Sequence, residues 1–462
     1  MTDAFPTLDV SDVQRVKAYP TYKPSAVEWI GNVPEHWEVK RLKYSATIND
    51  ETLPETTDPN YEISYVDISG VDPVRGITAT ENIVFENAPS RARRIVQDGD
   101  TIVSTVRTYL RAIAAIRKPA DNLIVSTGFA VVRPRSVNSR FLSFTLRESG
   151  FVDTIVARSV GVSYPAVNAS GIGTIPISLP PPNEQLGIAN FLGRETDKID
   201  SLITKKQALI EKLKEKRSAL ISRTVTRGLP PDATRAAGLD PHPSLKTSGL
   251  DWLGEVPMQW EVKRIKHVGS IRYGLGEPPE YTVDGLPFVR ATDIKRGKID
   301  LTALKRVSPE DVPWSRRPQL QLHEILVVRS GAYTGDSAIV TPEVVGFLAG
   351  YDMVLTVTRA RPQFVAWVLL SKYMLEGQIY LERMRAAQPH LNAEELGGFV
   401  VLVPPRAEQA AISAFLDRET QNIDAMIAKV ETVIDRLHES RSALITAAVT
   451  GKIDVRGSTH DN

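Results

Sequence analysis

Seven basic side chains lie between Arg91 and Lys118 (Arg91, Arg93, Arg94, Arg107, Arg111, Arg117 and Lys118) against two acidic ones, Asp98 and Asp100. Cations at that density suit a polyanion, because each can neutralise a phosphate and release a counterion. Arginine is also the best-matched donor for guanine O6 and N7, as asparagine and glutamine are for adenine. A second set stands 223 to 224 positions further on. Arg316 and Arg317 follow Trp314 as Arg93 and Arg94 follow Arg91, and Arg329 with Tyr333 takes the place of Arg107, Tyr109 and Arg111. Arg290 closes a β-rich run in the same region. Two aligned basic segments in otherwise different sequence suggest phosphate positioning, with other side chains adding base choice. The candidate DNA-binding residues are therefore Arg91, Arg93, Arg94, Arg107, Tyr109, Arg111, Arg290, Arg316, Arg317, Arg329 and Tyr333.

Other chemistry finds no support. An adenine amino-methyltransferase needs an Asn/Asp-Pro-Pro-aromatic loop, and the chain has none. Gly451-Lys452 lacks an upstream glycine and is followed by Ile453, so it is no phosphate cradle. The seven histidines (His36, His242, His267, His323, His390, His438 and His460) show no metal-ligand spacing, and there is no cysteine. We expect no catalytic residue, no metal and no cofactor in this chain. The 462 residues carry a net charge of +1 with 42% apolar and 24% charged residues, a soluble globular composition of about three units. No apolar run reaches a membrane-spanning length of about 18 residues. With no basic-apolar leader at Met1–Pro6 either, the expected location is cytoplasmic.

The elements that must position the arginines come in duplicate. From Ser25 to Lys43, 11 of 19 positions are identical to Ser248–Lys266, including Trp29, Gly31, Pro34 and Trp37 against Trp252, Gly254, Pro257 and Trp260. Pro180-Pro181 with Glu184-Gln185 returns as Pro404-Pro405 with Glu408-Gln409, and Arg217-Ser-Ala-Leu-Ile221 returns as Arg441-Ser-Ala-Leu-Ile445. The interiors, roughly 45–163 and 267–387, share pattern but little sequence. A frame kept while its contents diverge does one job twice around two different versions of another. The four tryptophans belong to the frame, which favours packing over base stacking.

Short β-rich runs broken by Gly, Pro and Asp, with helices near 140–148 and 362–373, make each interior a mixed α+β domain. The duplicated segments are long helices with apolar steps of three and four, the seam of a coiled coil. The second reads Ile423, Met426, Val430, Val433, Leu437 and Leu444, and the first reads Ile199, Leu202, Leu209, Leu213 and Leu220. Nine basic against five acidic residues over 194–223, and four against five over 418–447, bias the helices toward each other. The expected segments are 1–182 (opening motif and first domain), 183–228 (first helix), 229–247 (exposed linker), 248–406 (second domain) and 407–462 (second helix and tail).

The doubled opening motif, the Pro-Pro-x-x-Glu-Gln helix start and the Arg-Ser-Ala-Leu-Ile helix end resemble the specificity subunit of type I restriction-modification systems, over about 19–453. The resemblance implies a non-catalytic subunit of two target-recognition domains joined by two long antiparallel helices, each domain reading half of a split double-stranded DNA site. It implies two copies of a modification subunit docked on the helices through Ile199, Leu213, Leu220, Ile423, Val430, Leu437 and Leu444. A restriction and translocase subunit would complete the complex, with S-adenosylmethionine, ATP and Mg on the partner subunits, and no membrane is involved. The main alternative in another class is a duplicated coiled-coil scaffold that binds protein without DNA specificity; a second, a self-contained nuclease or methyltransferase, is opposed by the missing motifs.

Overall fold

The computed structural model describes residues 17–161, 165–241, 244–250, 253–277, 279–383 and 390–456; Tyr164, His242, Trp252, Gln388 and His460 lie outside the described residues. The chain divides into two compact units, Met1–Lys205 with Thr432–Asn462, and Lys206–Glu431. Both divisions fall inside long helices, Pro182–Arg227 and Arg406–Val449. Each unit thus holds its own opening motif, its own interior, the first part of its own long helix and the last part of the other one. The sequence reading had given each helix a segment to itself.

The opening motif of the first unit is a hairpin, Tyr22–Pro24 against Asn32–Pro34, repeated in the second unit as Leu245–Thr247 against Glu255–Pro257. Ser25 Oγ accepts from Val27 N–H and Ser248 Oγ from Leu250 N–H, both at 3.1 Å. Gly31 and Gly254 close the turns with φ of +67° and +68°, where a Cβ is unfavourable. Next, Glu38–Arg41 pairs antiparallel with Pro176–Leu179, and Glu261–Arg264 pairs with Val400–Val403. Each ladder joins the strand before an interior to the strand after it. The interior is an insert tied off by the frame.

Inside, the two units repeat one topology. An antiparallel sheet ordered Ile113–Ala115, Thr101–Ser104, Phe129–Pro134, Ala46–Ile48 matches Ser337–Ile339, Ile325–Val327, Met353–Val357, Gly269–Tyr273. Alternation along these strands serves two cores. Val103, Ala130 and Val132 pack toward Leu142, Leu146 and Phe151, whereas Ile102, Phe129 and Val131 pack with Val66 and Val125 of a second sheet. That second sheet contains a parallel pair in both units, Glu62–Val66 with Leu123–Ser126 and Leu286–Val289 with Leu348–Ala349. The connector is folded rather than exposed throughout: proline starts a helix at Pro231–Ala236, Thr234 is buried, and Leu229 packs on the second unit's core.

The helix seam differs from the expected one in a regular way. The inward positions are Ile423, Ile427, Val430, Ile434, Leu437 and Arg441, matched 224 residues earlier by Ile199, Ile203, Lys206, Ile210, Leu213 and Arg217. Met426 and Val433 are instead 51% and 40% exposed. Arg217 pairs with Asp424 at 3.0 Å in the second unit and Arg441 with Asp200 at 2.9 Å in the first. A carboxylate waiting in the facing helix lets arginine occupy a seam position, which a count of apolar residues passes over. Ile221 and Val225 share a core with Ile412 and Leu416, and Ile188 and Leu192 share one with Ile445 and Val449. The helix segments within each unit therefore run antiparallel. Because the Asp200 carboxylate is partly solvated, Asp200→Ala should cost about 1–2 kcal/mol in urea unfolding, and adding Arg441→Met should restore most of it. Simple addition of the two losses would show that the pair is not coupled.

Candidate nucleic-acid interface

The frame first fixes where each interior stands. Glu184, in the first turn of the first long helix, accepts from Trp37 Nε1 at 2.9 Å, from His36 Nε2 at 2.6 Å and from the Tyr19 hydroxyl at 3.2 Å. Burial beside that carboxylate pushes the Tyr19 phenol far above its ordinary range. Glu408 repeats the contact with Trp260 Nε1 at 3.0 Å, and burial raises its carboxyl above the usual value. The neighbouring glutamines work on backbone. Gln185 accepts from Asn138 N–H at 2.8 Å and donates to the Pro180 carbonyl at 2.8 Å; Gln409 does the same with Arg361 N–H at 2.7 Å and the Pro404 carbonyl at 2.6 Å. Trp37 and Trp260 are fully buried, and Trp29 packs edge-on to Phe151, so these three are structural.

The candidate arginines of the first interior gather at one end of its sheets. Thr127 N–H donates to the Arg91 carbonyl at 2.7 Å, and Thr105 N–H donates to the Gly128 carbonyl at 2.8 Å, bringing the segment of Arg91 beside the turn that starts at Arg107. That turn, Thr108–Leu110, is bracketed by Arg107 and Arg111 in the left-handed region (φ +50° and +51°) and exposes Tyr109. Arg111 reaches Asp153 at 2.6 Å, and Arg91 reaches Asp67 at 2.9 Å while its side chain stays over half exposed. Arg93 and Arg94 lie on a strand, Ala92–Ile95, at the sheet edge. Arg93 stacks over Phe85 at 4.5 Å, and Arg94 donates to Thr52 Oγ1 at 3.1 Å with its charge disfavoured by burial.

In the second interior the equivalent edge is a turn, Trp314–Arg316, followed by Arg317 at φ +49°, with Trp314, Arg316 and Arg317 exposed. The Arg290 guanidinium donates to Asp293 at 2.7 and 3.0 Å, and the same carboxylate accepts from Arg290 N–H at 2.9 Å, capping a helical turn. Arg329 is clamped between Tyr351 at 4.1 Å and Tyr273 at 4.7 Å, with Nη2 3.4 Å from His390 Nε2. Both tyrosines are exposed above 40%, as is Tyr333 at 51%, so the clamp presents aromatic faces outward. Sequence reasoning missed Tyr273, Tyr351 and His390, which lie 22 to 61 residues from Arg329 in the chain and meet it only through strand pairing.

Residues 34–212 match the family model for the type I restriction modification DNA specificity domain. Over that segment the chain carries the DNA specificity domain, and along its length it is similar to type I restriction enzyme specificity subunits. It is 24% identical over 453 residues to the type I restriction enzyme MjaVIII specificity subunit of Methanocaldococcus jannaschii, covering 92% of this chain and 94% of that one. It is 22% identical over 336 residues to the EcoBI specificity subunit of Escherichia coli, covering 70% and 67%. A chain solved in a study of complex assembly and conformational transition of the type I R-M system shares the fold, with a TM-score of 0.62, 24% identity, and 90% and 98% of the two chains covered. The matched domain is, by its description, one of DNA specificity. No described helix is long and apolar enough to cross a membrane.

Below the Arg329 clamp sits Asp352, 1% exposed, whose Oδ1 accepts from Arg329 N–H at 3.2 Å. Burial lifts its carboxyl to about 6, against the opposing hydrogen bond and charge of Arg329. A folded-state value above the unfolded one, near 4, means the native state binds the extra proton between those pH values. The contribution to stability is present below about pH 4 and is lost as pH rises through 6. Asp352→Asn should therefore gain on the parent by about 1–2 kcal/mol between pH 4.5 and 7.5 in urea unfolding. A constant difference across that range would show that Asp352 does not titrate there.

Proposed function

We propose that this chain reads a split duplex DNA target, one half with each interior, and directs modification and restriction subunits to it. The observation that carries the reading is one sheet order and register occurring twice, with different exposed side chains at the same strand ends. Arg107, Tyr109 and Arg111 stand at that end in the first interior; Arg317 and the tyrosine-clamped Arg329 stand there in the second. Four of the eight described non-glycine residues with positive φ are arginines, and strain held at exposed cations favours a ligand role over a packing one. Arg91, Arg316 and Arg317 engage phosphates, while the aromatic-flanked groups meet base edges in the groove.

The helices bind the modification subunit by the faces outside their seam. Ile423 and Leu437 are buried, and Leu220 and Leu444 pack on globular cores, so these four serve this chain's own packing; Ile199, Leu213 and Val430 are half-buried in the same seam. Leu202 and Leu209 on one helix and Met426 and Val433 on the other remain outside it, 224 residues apart in each pair. Two equivalent apolar stripes suit two copies of one partner. S-adenosylmethionine, ATP and Mg belong to the partner subunits in this reading, since this chain offers no motif for them.

Replacing residues 45–163 by the interior of a relative should change one half of the methylated sequence and leave the other intact, as mapped by genome-wide adenine methylation. If both halves change together, the interiors do not read independently. Met426→Asp with Val433→Asp should abolish co-purification with the modification subunit while leaving the circular dichroism and unfolding curve of the chain unchanged, whereas Leu437→Asp should destabilise the chain by several kcal/mol. Intact assembly of the first variant would place the partner elsewhere.

A further inference from the structure

A cleft of about 410 Å³ opens in the first unit between the Asp98–Gly99 turn, the Arg117–Lys118 loop and the helix Ser139–Leu146. Arg117, Lys118 and Arg140 line it with Ser143. Ser143 is 2% exposed, and its hydroxyl meets no hydrogen-bond partner among the described residues, an unfavourable arrangement if nothing fills the cleft. Asp98, the one carboxylate among the described lining residues, accepts from Lys118 N–H at 2.6 Å, so three cations face a single anion. Arg140 lies flat along the first long helix, where a Cβ at Gly193 would fall 2.4 Å from its Nη2. One turn beyond, burial together with the charges of Arg441 and Arg117 holds the Arg147 guanidinium down to about 10. The site carries positive potential that its own side chains do not neutralise.

The second unit supplies an internal control. Its turn and loop have the same backbone pattern: Gly99 N–H donates to Ile116 carbonyl in one, His323 N–H to Val340 carbonyl in the other. Yet Arg117 and Lys118 correspond there to Thr341 and Pro342, Arg140 to Gln363, Ser143 to Ala366 and Gly193 to Asp417. Asp417 accepts from Trp367 Nε1 at 3.0 Å, so an indole and a carboxylate occupy ground that Gly193 leaves open. The fold stands without the cations, the hydroxyl or the glycine. Their presence together in one unit calls for a ligand.

We propose that this cleft binds a phosphate group, with Arg117, Lys118 and Arg140 matching its charge and the Ser143 hydroxyl donating to one of its oxygens. The phosphate comes either from the DNA backbone or from a free phosphate compound, and the chemistry of recognition is the same. Thermal unfolding of the full chain in potassium phosphate against potassium chloride at equal ionic strength tests the site without DNA, so it can fail independently of the recognition role. Phosphate should raise the midpoint of the parent chain, and Arg117→Gln with Arg140→Gln, both at exposed positions, should weaken the apparent phosphate affinity roughly ten-fold or more. Ser143→Ala should weaken it less, and Gly193→Asp, which introduces the second unit's carboxylate, should remove it. Equal stabilisation of all four chains by phosphate, or none beyond that of chloride, overturns the proposal. If the phosphate is that of DNA, the double glutamine variant of the assembled complex also loses about two from the slope of log affinity against log salt. An unchanged slope alongside lost phosphate binding assigns the site to a free phosphate.

Discussion

The hydrogen bond from a buried indole to a helix-start carboxylate is the contact on which the frame depends. Trp37 to Glu184 and Trp260 to Glu408 each tie an opening motif to a helix more than a hundred residues later in the chain. The interior lies between them. An indole N–H has no water to fall back on at these depths, so a partner is obligatory, and a carboxylate in the first helical turn gains further from the helix dipole. The adjacent glutamine then fixes two backbone groups at once, one in the chain entering the helix and one at the start of a helix within the interior. With one acid and one amide, the frame sets the insert's position whatever sequence the insert carries.

The helix ends obey a reciprocal constraint. Gly451 follows the second long helix at φ +72°, and a Cβ there would lie 2.3 Å from Pro34 of the first opening motif. Gly228 follows the first long helix at φ +81°, with its virtual Cβ 3.7 Å from Trp260 of the second. Each long helix begins on its own tryptophan and ends against the other one. Lys17 and Asp454 form a bridge, so the described ends of the chain meet within the first unit. The duplication therefore contains two equivalent circuits of frame and insert, and the cores that hold them draw on residues from both ends of the sequence.

Within that frame the interiors are free to differ where the strands end. Hydrophobic alternation is the same in both, because two packed sheets with helices on one side leave few solutions. The edge beside the parallel pair is not. A strand bearing Arg93 and Arg94 lies there in the first interior, and a single bridge from Gln319 to Leu348 with an exposed arginine turn lies there in the second. The two interiors thus keep one core register while their rims differ in strand and turn.

Sequence alone determined the duplication, the α+β interiors, the two long helices and the absence of catalytic motifs, because these are written in spacing, period and local residue type. The strands of each interior are legible as short β-rich runs broken by Gly, Pro and Asp. Tertiary structure decided which apolar stripe is the seam. Ile427 and Ile434 compete with Met426 and Val433 on equal hydrophobic terms, and the long-range pairs of Arg217 with Asp424 and Arg441 with Asp200 fall on the face that is buried. It likewise decided that Arg290 serves its own loop and that Arg329 stands between two tyrosines. A guanidinium has the same composition whether it faces solvent, a carboxylate or an aromatic ring. Its partner is chosen by strand register across tens of residues, and no local window of sequence contains that information.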